Sequence, residues 1–281
     1  MRAVAVVLAL IVGAAAGPAR AGETRCWYDR GAVVVTAAFG GISGDFILDL
    51  AAPQSQLHET RAQTEGFETP EVTAPLRLAG ESLGLARFKV VDLDARTWDF
   101  PVSVNGVIGA DVLAGYAVEL RFDPCRVTLW KRRAPALAGA RRLRLTMIGG
   151  APAVWASIAD GRGAARSGWF AVDTGSAGVR LASSAAALSR TPAGIDAASR
   201  SHPPARLAAL ALDDDVLQSL PAGLDPDAAP GLLGAIGDEV WKRYAVRVDL
   251  RRQVLELSPP SPSWGGTGRE AARVGNSSEA R

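Results

Sequence analysis

Apolar residues in this chain come in short runs bounded by glycine, and several runs alternate with polar residues at period two. Residues 32–37 are β-branched and short, the Gly40-Gly41 and Ser43-Gly44 pairs supply turn chemistry, and Phe46-Ile47-Leu48 is a second run ending at Asp49. Leu76-Arg77-Leu78 and residues 85–91 flank a glycine turn and read as a hairpin. Residues 118–122 and 127–130 alternate as half-buried strands do. Such runs predict strands of a sandwich or barrel rather than helices, so the expected fold class is all-β.

The pattern then repeats. Residues 153–158 form another apolar run, a glycine-rich turn follows at 161–168, and Trp169-Phe170-Ala171-Val172 leads into Asp173, as residues 33–48 lead into Asp49. Downstream, Gly106-Val107-Ile108-Gly109-Ala110 is matched to Gly231-Leu232-Leu233-Gly234-Ala235, each followed by a short helix. Alternating strands then end at Asp123 and Asp249, with spacings that agree to within two residues over about 76 positions. The expected organisation is an N-terminal lobe at 22–130, a linker rich in Ala, Arg and Pro at 131–142, a C-terminal lobe at 143–258, and a disordered Pro/Ser/Gly tail at 259–281.

Residues 1–21 carry Arg2, an apolar run and a small-x-small site at Ala19-Arg20-Ala21, the pattern of a secretory signal peptide. The run is shorter than the roughly 20 apolar residues a membrane span needs, so no stable membrane anchor is expected after cleavage. Without Arg2 and Arg20 the 31 basic residues fall to 29 and balance the 29 acidic ones. A nucleic-acid binder would need a basic surplus, and nucleic-acid binding is therefore not expected. The signal pattern predicts an exported protein, periplasmic or secreted, and an Arg- and Ala-rich composition with few lysines points to GC-rich bacterial coding, hence a periplasm. Cys26 and Cys125 form an even count, which in an exported chain favours a disulfide over two free thiols. Two thiols and two scattered histidines do not make a zinc site, and no phosphate-binding glycine loop is present. No metal or cofactor is expected.

Asp173-Thr174-Gly175-Ser176 after an apolar strand, with a glycine-apolar-apolar-glycine partner about 60 residues on and a repeat of the whole, resembles the aspartic protease superfamily, the pepsin and retropepsin group, in its bacterial two-lobed form. The resemblance covers about residues 25–258. It implies two retropepsin-like β-barrel lobes facing across a cleft, a monomer because the duplication lies within one chain, and a peptide or protein substrate. It implies catalysis by Asp49 and Asp173 as an aspartyl dyad, one from each lobe. Thr174 would bond across to the other lobe, Gly175 would let the two loops approach, and Ser176 would bond the outer oxygen of Asp173. In that fold the segments carrying Cys26 and Cys125 run close together.

The first lobe departs from the motif, reading Asp49-Leu50-Ala51-Ala52. Leu50 cannot make the threonine's hydrogen bond, and Ala51 adds a methyl where the loops meet. Two function classes follow: an aspartic endopeptidase (a hydrolase), or a catalytically inactive protein of the same fold that binds peptides or partner proteins. Asp49 also has a plainer reading, as a strand-end aspartate capping a turn. The hairpin around Gly80 to Gly84 is either a flap over the cleft or plain sheet. His58 and His202 read as surface residues, and Asp213-Asp214-Asp215 as a solvated acidic turn.

Overall fold

The computed structural model describes residues 20–190 and 205–259; the signal segment before residue 20, His202 and most of the tail, for which expectations are given above, lie outside them. The first lobe contains β1 (Arg20–Asp29), β2 (Ala32–Phe39), β3 (Ile42–Leu48), β4 (Gln56–His58), α1 (Glu59–Thr64), β5 (Glu71–Leu78), β6 (Glu81–Val91), α2 (Asp94–Thr97), β7 (Val104–Ile108), α3 (Ala110–Leu113), β8 (Ala117–Phe122) and β9 (Cys125–Trp130). The second contains β10 (Arg141–Ile148), β11 (Ala151–Ala159), β12 (Ala165–Val172), β13 (Val179–Ala182), β14 (Ser189–Arg190), β15 (Ala205–Leu212), β16 (Asp215–Asp225), β17 (Leu232–Ile236), α4 (Asp238–Trp241), β18 (Ala245–Asp249) and β19 (Val254–Ser258). A 3₁₀ turn at Ser183–Leu188 precedes β14.

The pairings describe the same closed ring twice. In the first lobe β2, β3, β7, β4, β6 and β5 close back onto β2, with β3–β7 and β4–β6 parallel. In the second β11, β12, β17, β13, β16 and β15 close back onto β11, with β12–β17 and β13–β16 parallel. A third, antiparallel sheet joins the lobes in the order β1, β9, β8, β18, β19, β10. The fold is all-β and two-lobed.

Alternation within strands explains the continuous apolar runs near Asp49. Val33, Val35, Phe46 and Leu48 point into the main core. Ala32, Val34 and Ile47 point the other way, into a smaller cluster with Leu93, Val104 and Val107, against which Trp27 and Phe100 pack. A strand buried on both faces needs apolar residues at every position. In the barrel, Phe39 stacks on Phe88 at 4.1 Å and Phe46 meets Phe88 edge-on at 6.3 Å. In the joining sheet, buried Arg247 donates to Glu119 Oε2 at 2.7 Å and to Glu256 Oε2 at 2.8 Å, two carboxylates from two neighbouring strands.

The disulfide Cys26–Cys125 ties β1 to β9 across a sequence separation of 99. One feature differs from the sequence reading. The second-lobe counterpart of residues 106–110 is Gly234-Ala235-Ile236-Gly237-Asp238, three residues later than the match drawn above. The register places Gly106 beside Phe46 and Gly234 beside Phe170, and Gly109 and Gly237 are the residues that cap α3 and α4. The paired glycines answer the same steric demand. A Cβ on Gly106 would meet Gln56 O at 2.2 Å, and one on Gly234 would meet Arg180 O at 1.9 Å.

Of the two readings of the hairpin around Gly80, the pairing of β5 with β6 along its length fits plain sheet. Its turn-end residues Leu76–Leu78 pair with Phe39–Ala37, whereas Asp49 lies past the opposite end of β2, where Val33 pairs with Leu48. No residue of the hairpin lines the cavity that Asp49 lines.

Candidate functional site

Both aspartates lie at the end of a core strand that pairs in parallel with the strand before a helix-capping glycine. Asp49 N donates to Ile108 O and Asp173 N to Ile236 O, each at 3.0 Å. Both side chains are buried. Beyond them the chain turns, and each carboxylate accepts from the amide two residues on: Ala51 N to Asp49 Oδ1 and Gly175 N to Asp173 Oδ1, both 2.8 Å. The turn-capping role considered for Asp49 is thus present, and Asp173 plays the same role.

The two loops are bound to each other. The Thr174 hydroxyl donates to Leu48 O at 2.7 Å and accepts from Leu50 N at 3.1 Å, on either side of Asp49. Thr174 O accepts from Val33 N at 3.0 Å. Leu50, in the matching position, is fully buried in the apolar core and has no hydroxyl to reciprocate. Gly175 lies against Asp49: a Cβ there would be 2.8 Å from Asp49 Cγ and 2.3 Å from Arg96 Nη2. Ala51 has room for its methyl, because it packs against a cluster of Ala151, Ala171 and Ala235 of the second lobe. The anticipated intrusion is absorbed by a wall of small side chains.

The outer oxygens differ between lobes. Ser176 Oγ donates to Asp173 Oδ2 at 2.5 Å. On Asp49 Oδ2 the donor is Arg96 Nη2, at 2.6 Å, with the arginine side chain 13% exposed and the aspartate 2%. Arg96 Nη2 also reaches Gly175 O at 3.5 Å. Leu93 and Phe100, on either side of α2, are pinned in the smaller cluster, and Thr97 Oγ1 donates to Leu93 O, so this short segment is held where Arg96 meets Asp49. Sequence reasoning did not find Arg96; the signal available was Ala52, which lacks the hydroxyl that Ser176 has.

Asp49, Asp173 and Arg96 line one cavity of about 200 Å³ between the lobes, together with Asp225, Asp227 and a group of alanines. Behind the loops, Asp238 donates its backbone N–H to Ser176 O. Its carboxyl is fully buried with no hydrogen-bond partner on either oxygen. Burial, then the negative charge of Asp173 and Asp49, pushes that carboxyl well above the usual range.

His58 is not a surface residue. It is buried, its Nδ1 accepts from Thr60 N at the start of α1, and its Nε2 lies 3.1 Å from Asp94 Oδ1. The acidic turn at 213–215 joins β15 to β16, and Asp215 ties it to Arg141 and, at 2.8 Å, to Tyr244 OH.

No protein-family model matches the sequence, and no curated protein matches it. Among solved structures, the chain is similar to the aspartic proteinase from Irpex lacteus, with a TM-score of 0.56 and 14% identity over 87% of this chain and 98% of that one. The likeness is one of fold: two pepsin-like lobes with a cleft between them.

Proposed function

We propose that the protein is an aspartic endopeptidase of exported location, with Asp49 and Asp173 as its dyad. The observation that carries this reading is the Thr174 hydroxyl, bonded on both sides of Asp49. It fastens the two aspartate loops together, so that one carboxylate from each lobe faces the same cavity. Two carboxylates in such a site do not both ionise freely, because like charge raises the cost of the second ionisation. The ionised member takes a proton from water as the water oxygen bonds to the peptide carbonyl carbon, and the protonated member gives its proton to the carbonyl oxygen. Collapse of the tetrahedral adduct then breaks the C–N bond, and the amine leaves with a proton from the site. Thr174, Gly175 and Ser176 hold the loop rather than react. Peptide or protein chains are the substrates this cleft suits, and the duplicated lobe within one chain supports a monomer.

A second reading is favoured by the Arg96–Asp49 ion pair and the Leu50-Ala51 departure: a pepsin-fold protein that binds peptides without cutting them. Incubation of the mature protein with a diverse peptide library from pH 3 to 8, read by mass spectrometry, separates the two. Discrete cleavage sites that vanish in Asp173→Asn support the peptidase. Silence at every pH, with peptides retained on the immobilised protein, supports the binding reading instead.

A further inference from the structure

The two aspartates are equivalent in backbone and unequal in charge environment. The loops superpose in role, since Ala110 N donates to Ala52 O as Asp238 N donates to Ser176 O. Ala52 therefore stands where Ser176 stands. Each aspartate has one oxygen on the amide two residues ahead and one on a side-chain donor. For Asp173 that donor is a neutral hydroxyl, and for Asp49 it is a guanidinium. Arg96 is delivered by a stretch the second lobe does not have: 12 residues separate β6 from β7 (residues 92–103), against six between β16 and β17 (residues 226–231).

We propose that Arg96 is a positioning residue that assigns the roles within the dyad: it holds Asp49 as the ionised member and leaves the proton to Asp173. This rests on the peptidase reading above. An adjacent cation favours the charged form of a carboxylate, by about 1–3 pKa units in comparable pairs, and the pair titrates as a unit. Arg96 thus moves both protonation steps, and both limbs of the rate profile, to lower pH. The other charged groups around the pair act in the opposite sense or are engaged elsewhere. Asp225 and Asp227 share the cavity wall, and Asp238 lies buried behind Asp173 and Asp49. Glu239 of α4 accepts from Lys242 and Tyr28, Arg180 pairs with Asp225, and Asp94, on the same helix as Arg96, pairs with His58. Among the described residues Arg96 is the one cation lining the cavity.

The test uses the mature protein and Arg96→Met, Arg96→Gln and Arg96→Lys, with two readouts. One is the pH profile of kcat/KM. The other is the carboxyl ¹³C titration of Asp49, assigned by its loss in Asp49→Asn, which needs no turnover. The expected result is that Met and Gln move both limbs, and the Asp49 midpoint, upward by about one pH unit or more, while Lys restores most of the wild-type position. Limbs and midpoint that stay in place overturn the proposal; if the rate also rises equally at every pH, Arg96 merely obstructs the cleft. If no variant cleaves, the peptidase reading fails, and the carbon titration still decides whether Arg96 sets the charge of Asp49. Should Met and Gln fail to fold, an unshifted profile and midpoint in Lys, with its point charge on a different stem, support the charge role, and a Lys variant that titrates like no cation at all overturns it.

Discussion

Thr174→Val keeps the shape of the side chain and removes only the hydroxyl. In the wild type that hydroxyl is fully buried and makes two bonds to the first lobe's backbone. A typical hydrogen bond contributes about 1 kcal/mol net, but stripping one partner from a buried group costs about 1–3 kcal/mol for the group left behind. The groups left are the Leu48 carbonyl and the Leu50 amide, so the expected loss is about 2–4 kcal/mol. For a protein of this size each kcal/mol lowers Tm by about 2–4 °C, which gives a fall of roughly 4–16 °C. Because the lost bonds flank Asp49, the carboxylates also lose register, and an error of about 1 Å can cost about 10²-fold in rate. The assay is differential scanning calorimetry beside kcat/KM, with Thr174→Ser as the control that keeps the hydroxyl and loses a methyl. Serine is expected to sit near wild type in rate and within about 1–2 kcal/mol in stability. A valine variant that melts within 2 °C of wild type and cleaves equally well refutes the claim that this hydroxyl joins the lobes.

Three further outcomes follow from the same structure. Reduction of Cys26–Cys125, whose separation is 99 residues, is expected to lower Tm, with about 4–5 kcal/mol as the chain-entropy ceiling for a loop of about 100 residues; an unchanged melting curve after verified reduction contradicts it. Arg247→Ala leaves Glu119 and Glu256 buried without their shared cation and is expected to destabilise by about 3–5 kcal/mol, read from the denaturant midpoint. Asp238 carries a raised carboxyl pKa, so the unfolded chain releases that proton at lower pH than the folded one. Its contribution therefore turns unfavourable as pH rises above the usual carboxylate range, and Asp238→Asn is expected to gain stability over wild type at pH 7 relative to pH 3. Parallel pH–stability curves for the two proteins contradict the assignment.

Much of the fold was legible because strand alternation and glycine turns are local signals. Val33 to Leu48 and Val154 to Val172 fold alike because both are hairpins whose ends next to the aspartates are buried on both faces. The second glycine pair was misaligned for a reason the sequence hides: Gly231-Leu232-Leu233-Gly234 has the right pattern and a spacing of 61 from Asp173, whereas the true capping glycine, Gly237, is 64 residues on. Only the strand register, with Gly234 forced close to Arg180 O, separates them. Flap and plain sheet were equally compatible with the Gly80 hairpin, because which end of β2 it reaches depends on long-range pairing. Arg96 left no motif: it lies 47 residues from Asp49 on a helix of four residues. Its position comes from Leu93 and Phe100 packing against a second cluster, a tertiary fact. His58 read as a surface residue because its partners, Asp94 and the start of α1, become neighbours only once β4 pairs with β6 and β7.

The proposed peptidase needs one carboxylate from each lobe for hydrolysis. The most direct measurement is kcat/KM for Asp49→Asn and Asp173→Asn beside wild type on one cleaved peptide, each variant first shown to be folded by circular dichroism and melting. Asparagine is nearly isosteric, and a single carboxylate cannot serve as both base and acid. Each change alone is expected to abolish cleavage, with the fold retained. Wild-type turnover by a folded Asp49→Asn protein would contradict it, and would leave two pepsin-like lobes whose chemistry lies with Asp173 alone.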